Sequence, residues 1–391
     1  MYKSNNKSLK IARVIDIFYP YISGVANQAY FISKYLQENG IQSPIFTSKF
    51  YAENSKSYEI IDGIEVHRIN YLFHIMKFII TPKIKEILMN SEFSLIHSHN
   101  YRNYLTNIAV KVAKKKRKPI VLSVHGSLLN YQKMVFGIKR SPYRMYDIIF
   151  GKKEIENIDK IIVNSKIEEE SALLFGVPKQ KIKIIPVGII FSKYQKEVKK
   201  ICDDKILQIL FVGRISPVRN LELIIYALKN MKNVHLTIVG GEVSHTGAVN
   251  VGYLNNLKIL SNNLKLNDKI TFLGPKYGEE LVKEYKKADI FIYTSFVENF
   301  GQTILEAAAS GLPIISTPVG IANEIVNDGK TGFIVDFKNP KEITKKINIL
   351  RNASLRKEFS RSISKIAKEK FDWTHITNNY IKLYEECLDK S

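Results

Sequence analysis

Two glutamates, Glu298 and Glu306, flank the point where a predicted strand gives way to a predicted helix. The apolar run 290–293 predicts a buried strand, and the polar loop after it contains Asn299 and Gly301. Loops of this kind lie at the carboxyl ends of parallel strands, where open α/β sheets bind ligands, and a helix N-terminus favours anions. Carboxylates beside an anion site need hydrogen-bond donors, which sugar hydroxyls supply. The pattern therefore suggests a site for a phosphate-activated sugar.

A capped surface helix with two solvated glutamates would have the same pattern. The i, i+4, i+7 spacing predicts that Thr303 and Glu306 share a helical face with Asn299, while Ile304 and Leu305 point elsewhere. The rest of the chain has to decide between a ligand site and a solvated helix.

The first half of the chain alternates predicted strands and helices. A strand at 10–18 is followed by a loop ending in Ser23-Gly24 and by a helix from Val25 to Asn39. Gly24 is thus placed where backbone N–H groups commonly meet phosphate. Because no periodic glycines accompany it, a dinucleotide-binding fingerprint is not predicted.

Two later strands, at 94–99 and 119–125, end in His99 and His125. One histidine at a strand end is commonly structural. Two of them on one predicted edge of a sheet favour a cleft there.

The second half repeats this architecture. Gly213 and Arg214 follow a strand at 206–212, and Arg219 precedes the next helix. Both arginines are expected to reach an anion at that helix, since guanidinium groups bind phosphate bidentately. Gly274 ends a further strand, where exposed backbone could bind a nucleotide base. No Asp-x-Asp motif indicates a metal ion, so cationic side chains are expected to stabilise a leaving diphosphate.

Length and composition favour a globular protein of 391 residues with more than one domain. The predicted division is 1–195, an acceptor-binding domain, 196–370, a nucleotide-sugar-binding domain, and 371–391, a final helix. Two cysteines form no disulfide framework, the amino-terminal segment does not resemble a signal peptide, and no apolar run is long enough to span a membrane. A cytoplasmic location is expected.

The net charge of +22 requires an explanation. A basic, aromatic segment, defined here as residues 111–153, contains twelve Lys or Arg residues and one acidic residue, Asp147. Such a surface suits an anionic membrane. Single-stranded nucleic acid or a merely solvated lysine-rich surface would have the same composition, and genome bias alone can enrich lysine.

These motifs resemble those of the retaining glycosyltransferases of family 4, over nearly the whole chain. The matching stretches in the second half are Gly213-Arg214 with Arg219, the 298–306 segment, the 309–320 segment and Gly329-Lys-Thr-Gly-Phe333; those in the first half are 18–25, His97-Ser-His99 and Ser123-Val-His-Gly126. The resemblance implies the GT-B fold, in which two Rossmann-like, doubly wound α/β domains face each other across a cleft and the last helix crosses back to the first domain.

The resemblance also implies roles for single residues. Catalytic roles fall to His125, Glu298, Arg214 and Arg219; donor-binding roles fall to Gly24, Gly213, Gly274, Asn299, Phe300, Gly301, Thr303 and Glu306; His99 is expected on the acceptor side. Glu306 would bind the ribose hydroxyls and Glu298 the donor sugar, while His125 would lie beside the transferred sugar. Attack on the same face as the leaving group would retain the configuration, with no carboxylate nucleophile.

Three departures from the family pattern accompany the match. Arg219 stands where lysine is usual, Asn220 where glycine is usual, and Ser23 where a second glycine is usual. The hinge sequence is Val187-Gly-Ile-Ile190 in place of the usual Asn-Gly-Val-Asp.

The leading hypothesis is a metal-independent hexosyltransferase that uses a nucleotide-diphosphate sugar and needs no cofactor. Its acceptor is expected to be lipid-linked, a saccharide, or at an anionic membrane surface. One alternative is a nucleotide-sugar epimerase of related fold, which would convert the donor without an acceptor. The other is a nucleic-acid-binding protein, which would leave the two glutamates unexplained, so no nucleic-acid partner is expected.

Overall fold

The computed structural model describes residues 9–75, 78–128, 145–195, 206–242 and 252–389. The chain forms two compact units, one made of Met1–Gly188 with Trp373–Ser391 and the other of Ile189–Asp372. The sequence analysis places the corresponding boundaries at 195 and 370. The first unit ends earlier because the short helix after Gly188 packs in the second unit, where the Tyr194 ring lies 5.9 Å from that of Tyr285.

An eight-stranded sheet forms the centre of the first unit. Its strands are β1 (Ile11–Val14), β2 (Ile45–Ser48), β3 (Tyr58–Ile61), β4 (Ile64–Ile69), β7 (Leu95–His99), β8 (Ile120–Ser123), β9 (Lys160–Val163) and β10 (Ile182–Ile184). They lie in the order β10-β9-β8-β7-β1-β2-β4-β3, and only β3 is antiparallel to its neighbour. A separate hairpin pairs β5 (Phe73–Ile75) with β6 (Phe78–Ile80).

Helices pack on this sheet, and three of them begin at polar caps. They are α1 (Gly24–Glu38), α2 (Ile84–Asn90), α3 (Tyr104–Lys116), α4 (Lys152–Asn157), α5 (Lys166–Phe175) and, from the end of the chain, α14 (Trp373–Leu388). The side chains of Ser23, Asn103 and Ser165 accept a first-turn backbone N–H of α1, α3 and α5. These caps fix where the three helices begin. A π-helical turn, Asp147–Gly151, precedes α4.

The last helix belongs to the first unit. The Trp373 ring stacks on the rings of Phe31 and Tyr35 of α1, with centroid separations of 5.6 and 5.7 Å. Gly188 lies directly against this indole, since a Cβ there would come within 2.4 Å of it. The prediction that the chain returns to its first domain through its last helix is confirmed.

A six-stranded, fully parallel sheet forms the centre of the second unit. Its strands, in the order β13-β12-β11-β14-β15-β16, are β11 (Leu207–Val212), β12 (Val234–Val239), β13 (Ile270–Gly274), β14 (Ile290–Tyr293), β15 (Ile314–Ser316) and β16 (Gly332–Ile334). Its helices are α6 (Phe191–Tyr194), α7 (Leu221–Leu228), α8 (Tyr253–Asn263), α9 (Gly278–Lys287), α10 (Gln302–Ala309), α11 (Ala322–Ile325), α12 (Pro340–Ile349) and α13 (Ala353–Phe371). Strands β14 and β15 are fully buried, as the central strands of a parallel sheet should be.

Both predicted Rossmann-like sheets are therefore present, and the predicted final helix is observed as α14. The sequence analysis missed the edge strand β3 and the β5–β6 hairpin. Alternate residues of β3 are solvent-exposed, so its sequence does not form the apolar run that marks the buried strands. Across the described ranges, no helix is both long enough and apolar enough to cross a membrane.

Candidate active site

The strand order of each sheet reverses at one point, between β1 and β7 in the first unit and between β11 and β14 in the second. Ligands of open parallel sheets bind beyond the carboxyl ends of the strands at such points. The predicted site residues follow these strands: Gly24 comes after β1, His99 ends β7, Arg214 comes after β11 and Glu298 comes after β14. The topology thus places the sequence motifs where a ligand would bind within each unit.

Glu298 is the acceptor for several convergent hydrogen bonds. Its Oε2 accepts Arg219 Nη1 and the Tyr293 hydroxyl, both at 2.6 Å, and its Oε1 accepts the backbone N–H of Asn299 at 3.1 Å. Burial acts to raise the pKa of Glu298, but the positive charge of Arg219 and these hydrogen bonds hold it below its ordinary value. Glu298 is therefore ionised at neutral pH.

The two arginines occupy different environments. Arg219 ends a 3-10 turn at 217–219 and is 7% exposed, and its Nη1 also donates to Ser295 Oγ at 3.1 Å. Arg214 is exposed. The Arg219 guanidinium forms an ion pair with Glu298 and lies over the Tyr293 ring. That both arginines reach one anion stays a prediction. The adjacent Asn220 has φ +50°, a left-handed conformation that asparagine and glycine adopt most readily.

Helix α10 begins without a capping side chain. The residue before it, Gly301, has φ +91°, and a Cβ there would lie 2.9 Å from Ile304 Cδ1. Glycine is therefore required by both backbone conformation and packing. The first N–H groups of α10, with the positive end of the helix dipole, are left for a bound anion or water. The carbonyl of Phe300 accepts the N–H of Ile321 at 2.7 Å, which holds the preceding loop in place.

Glu306 lies one turn into α10 in a different environment. Its Oε2 accepts the Tyr285 hydroxyl at 2.8 Å, and Tyr194 donates a second hydrogen bond. Burial raises the pKa of Glu306 to about 7, against the opposing effect of these hydrogen bonds. Thr303 and Glu306 are both helical, but Asn299 lies before the helix, so the predicted shared face does not include it.

Two glycines predicted to bind the donor lie at the ends of β11 and β13, the two strands that flank β12. Gly213 follows β11, and its N–H donates to Val239 of β12 at 3.0 Å. Gly274 ends β13 with φ +72°, and its carbonyl accepts the N–H of Gly240. Both positions bring backbone to the same edge of the sheet.

Three histidines and an arginine meet at the corresponding edge of the first unit. Arg13 of β1 is the register partner of His97 on β7. Arg13 Nη1 contacts His97 Nδ1 at 2.9 Å and His99 Nε2 at 3.0 Å. The other ring nitrogen of His99 lies 2.9 Å from His125 Nε2.

The expectation that His99 faces an acceptor needs a correction. His99 is fully buried between Arg13 and His125, so it reaches a ligand only through His125. Burial, followed by neighbouring positive charge, lowers the pKa values of His97 and His99 well below the ordinary histidine value. Burial also lowers the pKa of His125, to about 3.

The backbone after His125 is held by a buried carboxylate, whereas Gly24 faces open space. His125 has φ +49°, and the next residue, Gly126, donates its N–H to the buried carboxylate of Glu168. Burial raises the pKa of Glu168 to about 7, opposed by hydrogen bonds from the backbone of Asn164 and Gly126. At Gly24, a Cβ would meet no atom within 4 Å.

Two family models match the chain. Residues 22–193 match the model described as Glycosyltransferase Family 4, and residues 193–370 match that described as Glycosyl transferases group 1. The chain is a family 4, group 1 glycosyltransferase. Enzymes of this family use nucleotide-sugar donors.

Relatives of this glycosyltransferase match it over 62 to 97% of its length. An uncharacterised glycosyltransferase of Methanocaldococcus jannaschii is 25% identical over 97% of this chain and 99% of its own. A D-inositol 3-phosphate glycosyltransferase of Mycobacterium sp. (strain KMS) is 26% identical over 62% of this chain and 56% of its own. The crystal structure of Anabaena HepE in complex with UDP superposes with a TM-score of 0.75, at 18% identity, over 97% of this chain and 100% of that one. This structural likeness confirms the GT-B fold.

The basic, aromatic segment of this glycosyltransferase lies partly outside the described residues. Positions 129–144, which hold Lys133, Lys139, Arg140 and Arg144, fall there. In the described part, the segment's one acid, Asp147, forms an ion pair with Arg102 at 2.8 Å. Among the residues that the structure describes, no three His, Cys, Asp or Glu side chains are grouped to hold a metal ion.

Several residues of the site escaped the sequence analysis. They are Arg13, Glu168, Tyr194, Tyr285 and Tyr293, each hydrogen-bonded to a predicted site residue or its neighbour. Arg13 carried a usable signal, because a lone arginine inside the apolar strand Ile11-Ala-Arg-Val14 is expensive unless it is paired. The tyrosines carried none, since their partners come from other elements.

Proposed function

We propose that this glycosyltransferase transfers a hexose from a nucleotide-diphosphate sugar to a lipid-linked or membrane-surface acceptor, with retention of configuration and without a metal ion. The observation that supports it most is the group formed by Glu298, Arg219 and Tyr293 beside the uncapped start of α10. It combines a fixed carboxylate for sugar hydroxyls with an anion-binding helix terminus in one loop.

In this proposal the diphosphate binds at the start of α10. The N–H groups of Gln302 and Thr303 and the exposed guanidinium of Arg214 stabilise the charge that develops as the nucleotide leaves. Gly24 and Gly213 let backbone approach the phosphates. Arg219 acts through Glu298, which it keeps ionised and oriented.

Glu298 accepts hydrogen bonds from the donor sugar, and the backbone of Asn299, Phe300 and Gly301 lies along it. Glu306 accepts the two ribose hydroxyls and Gly274 presents backbone to the base. Because Tyr285 and Tyr194 already hydrogen-bond Glu306, the ribose competes with or displaces one of these hydroxyls. His125 donates a hydrogen bond to the transferred sugar.

Retention then proceeds by attack on the face from which the diphosphate leaves. The acceptor hydroxyl forms the new bond to the anomeric carbon as the bond to the phosphate oxygen breaks. The leaving phosphate oxygen takes the acceptor's proton. In this proposal Glu298 forms no covalent bond and only accepts hydrogen bonds from the donor sugar.

The proposal of a membrane-surface acceptor is supported by the residues at the end of the basic, aromatic segment. Four of its apolar side chains are exposed: Met145, Ile148, Ile149 and Phe150, with Ile148 at 73%. Lys152 and Lys153 follow them and are exposed too. The polar residues of this turn point inward, since Asp147 pairs with Arg102 and Tyr146 donates to Glu154 at 2.8 Å. An apolar surface with adjoining lysines suits an anionic bilayer.

A donor panel tests the enzymatic part. UDP-, GDP- and ADP-hexoses are added to the full chain, and thermal stability and slow donor hydrolysis are measured. One donor is expected to raise Tm at concentrations above its Kd and to be hydrolysed or transferred, since a ligand that binds only the folded state stabilises it. The Anabaena protein was crystallised with UDP-glucose, which makes UDP-glucose the first donor to try. No stabilisation and no turnover with any donor would overturn the proposal.

Vesicle flotation tests the acceptor part. The protein is expected to float with vesicles that contain anionic lipid and to stay behind with neutral ones. The double variant Ile148→Glu/Ile149→Glu should lose flotation, while Ile60→Glu, a comparably exposed apolar position on β3, should keep it. Equal recovery of all proteins with both lipid mixtures would remove the membrane argument.

A further inference from the structure

The buried group around Arg13 is not explained by binding of the donor alone. Arg13 is fully enclosed, and within the described residues it forms no ion pair with a carboxylate. Its hydrogen-bond partners are Ser33 (2.8 Å), Ser43 (3.2 Å), His97 (2.9 Å), His99 (3.0 Å) and Tyr384 (3.5 Å). A guanidinium keeps its charge in proteins and offers only donors. Every partner must therefore accept, which constrains where the neighbouring protons sit.

The constraint passes from Arg13 to His125 in two steps. Because Arg13 Nη1 donates to His99 Nε2, that nitrogen must carry the lone pair, and the proton of neutral His99 is on Nδ1. His99 Nδ1 lies 2.9 Å from His125 Nε2 and donates to it. His125 Nε2 is then the acceptor, so the proton of neutral His125 is on Nδ1.

We infer that Arg13 and His99 are positioning residues that fix His125 as the neutral Nδ1–H tautomer, so that His125 meets a ligand as a hydrogen-bond donor. In this state neither ring nitrogen can act as a general base, because Nε2 is occupied by His99 and Nδ1 already carries a proton. The group that His125 binds must offer an oxygen acceptor, such as a sugar hydroxyl or a phosphoryl oxygen. The identity of that ligand rests on the proposed function. The tautomer of His125 follows from the hydrogen bonds alone.

The surroundings keep His99 and His125, called the relay here, uncharged. The charged and titratable groups that face it are Arg13 on β1, His97 on β7 and Tyr380 and Tyr384 on α14; Glu168 on α5 reaches it through the N–H of Gly126. A proton added to His99 would share a buried site with the charge of Arg13. The same groups hold the ring planes, since the rings of His97 and His99 are 4.6 Å apart and those of His99 and His125 are 5.2 Å apart.

Histidine tautomers can be measured directly on the whole protein. Long-range proton–nitrogen correlation spectra of the full chain with ¹⁵N-labelled histidine distinguish Nδ1–H from Nε2–H rings, and His→Gln variants assign the signals. His99 and His125 are expected as Nδ1–H tautomers from pH 6 to 8. An Nε2–H or doubly protonated His125 would overturn the inference, whether or not the protein transfers sugar. An Nδ1–H His125 in a protein that binds no donor would leave the relay standing and remove the proposed function.

Two substitutions of His125 test the consequence for activity. The Nδ2–H of asparagine occupies about the place of histidine Nδ1, and the Nε2–H of glutamine that of Nε2. His125→Asn should therefore retain kcat/KM about tenfold above His125→Gln. The reverse order would contradict a donor at Nδ1.

Replacing His99 should change the tautomer of His125, although His99 itself does not contact the ligand. In His99→Leu the His125 signal should shift toward a mixture of tautomers, and kcat should fall about tenfold with a smaller change in donor KM. His235→Leu, which removes a histidine bonded to Thr271 in the second unit, is the matched control and should leave both unchanged. A His99→Leu protein that keeps the wild-type His125 tautomer would overturn the inference; if this variant fails to fold, the wild-type spectrum still decides.

Discussion

Both units place an arginine beside the strands at which the sheet order reverses, but the partners of the two arginines differ in charge. In the first unit Arg13 is surrounded by neutral imidazoles and hydroxyls, all acting as acceptors. In the second unit Arg219 forms an ion pair with Glu298 at 2.6 Å. The same topology thus supports an arginine with uncharged partners in one unit and an arginine paired with an ionised carboxylate in the other.

This difference determines which part of the enzyme responds to pH. The histidines near Arg13 have pKa values far below neutrality, so they do not change charge between pH 6 and 8. Glu306 in the second unit has a pKa of about 7 and does change charge there. Glu168, also near 7, is the exception in the first unit, because it holds the Gly126 backbone beside His125. We therefore expect the donor Kd to change with the ionisation of Glu306 and not with that of the histidines near Arg13.

The largest expected effect comes from removing the charge of Glu298. Glu298→Gln keeps the size of the side chain but loses the carboxylate, and turnover should fall about 100-fold or more, as for other preorganised electrostatic groups. Steady-state kinetics with saturating donor measure this. Glu280→Gln, at an exposed glutamate on α9, is the control. Turnover of Glu298→Gln within threefold of wild type would mean that the charged site of the second unit is only structural.

Replacing Arg219, the other partner of the ion pair, tests whether its charge keeps Glu298 ionised. In Arg219→Met the burial of Glu298 is no longer offset, so its pKa should rise above the ordinary value, and stability at pH 7 should fall by about 3 kcal/mol. A lowered folded-state pKa stabilises the protein above the unfolded-state value and ceases to do so as pH falls through the folded-state value. The stability difference between wild type and Arg219→Met should therefore shrink between pH 5 and pH 3.

Chemical denaturation at several pH values provides the measurement. Arg219→Lys, the residue usual in the family, keeps the charge and should show a smaller loss at pH 7. A difference between wild type and Arg219→Met that stays constant from pH 7 to pH 3 would show that the pair does not hold Glu298 ionised.

Donor affinity should depend on pH through Glu306. In the role proposed for Glu306, only the ionised carboxylate would accept both ribose hydroxyls, so with a pKa near 7 the donor Kd should be about tenfold weaker at pH 6 than at pH 8. Isothermal titration at constant ionic strength measures it. Glu306→Gln should bind weakly at both pH values with little pH dependence, whereas Glu168→Gln should keep the wild-type dependence. If the dependence disappears in Glu168→Gln instead, the pH response belongs to the first unit.

The same carboxyl group makes a stability prediction of opposite sign to that of Glu298. Because its folded-state pKa is raised, the folded protein holds a proton that the unfolded chain releases between about pH 4.5 and 7. Wild type should therefore lose stability relative to Glu306→Gln as pH rises from 5 to 8. Denaturation midpoints of the two proteins at pH 5 and pH 8 would show it, and parallel curves would contradict a raised pKa.

The sequence predicts the sheets and the position of the site but not its electrostatics. Buried parallel strands such as β11 and β14 are continuous apolar runs, so their ends, and the residues after them, can be read from local pattern. Glu298 and Glu306 look alike in the sequence. Their pKa values move in opposite directions because the charge of Arg219, which comes from a turn after β11, outweighs burial at Glu298. At Glu306 burial outweighs the hydrogen bonds from Tyr285 of α9 and from Tyr194.

The same limit applies to the surroundings of His99 and Arg219. His99 ends its strand as predicted, but its burial depends on Arg13 and on the return of α14, which local sequence does not reveal. Arg219 has the spacing of a phosphate ligand, yet its charge is paired with a loop 79 residues away. Partners brought together only by tertiary structure decide the role of each.

The smallest expected effect comes from removing one tyrosine hydroxyl group beside each glutamate. Tyr285→Phe removes a hydrogen bond that favours ionised Glu306, so the midpoint of the pH dependence of donor Kd should move upward by somewhat less than one unit, about 1 kcal/mol. Tyr293→Phe is the matched change at Glu298 and should leave that midpoint where it is while lowering turnover. If both substitutions move the midpoint equally, the glutamates titrate as one coupled pair, and the separation of their roles would have to be abandoned.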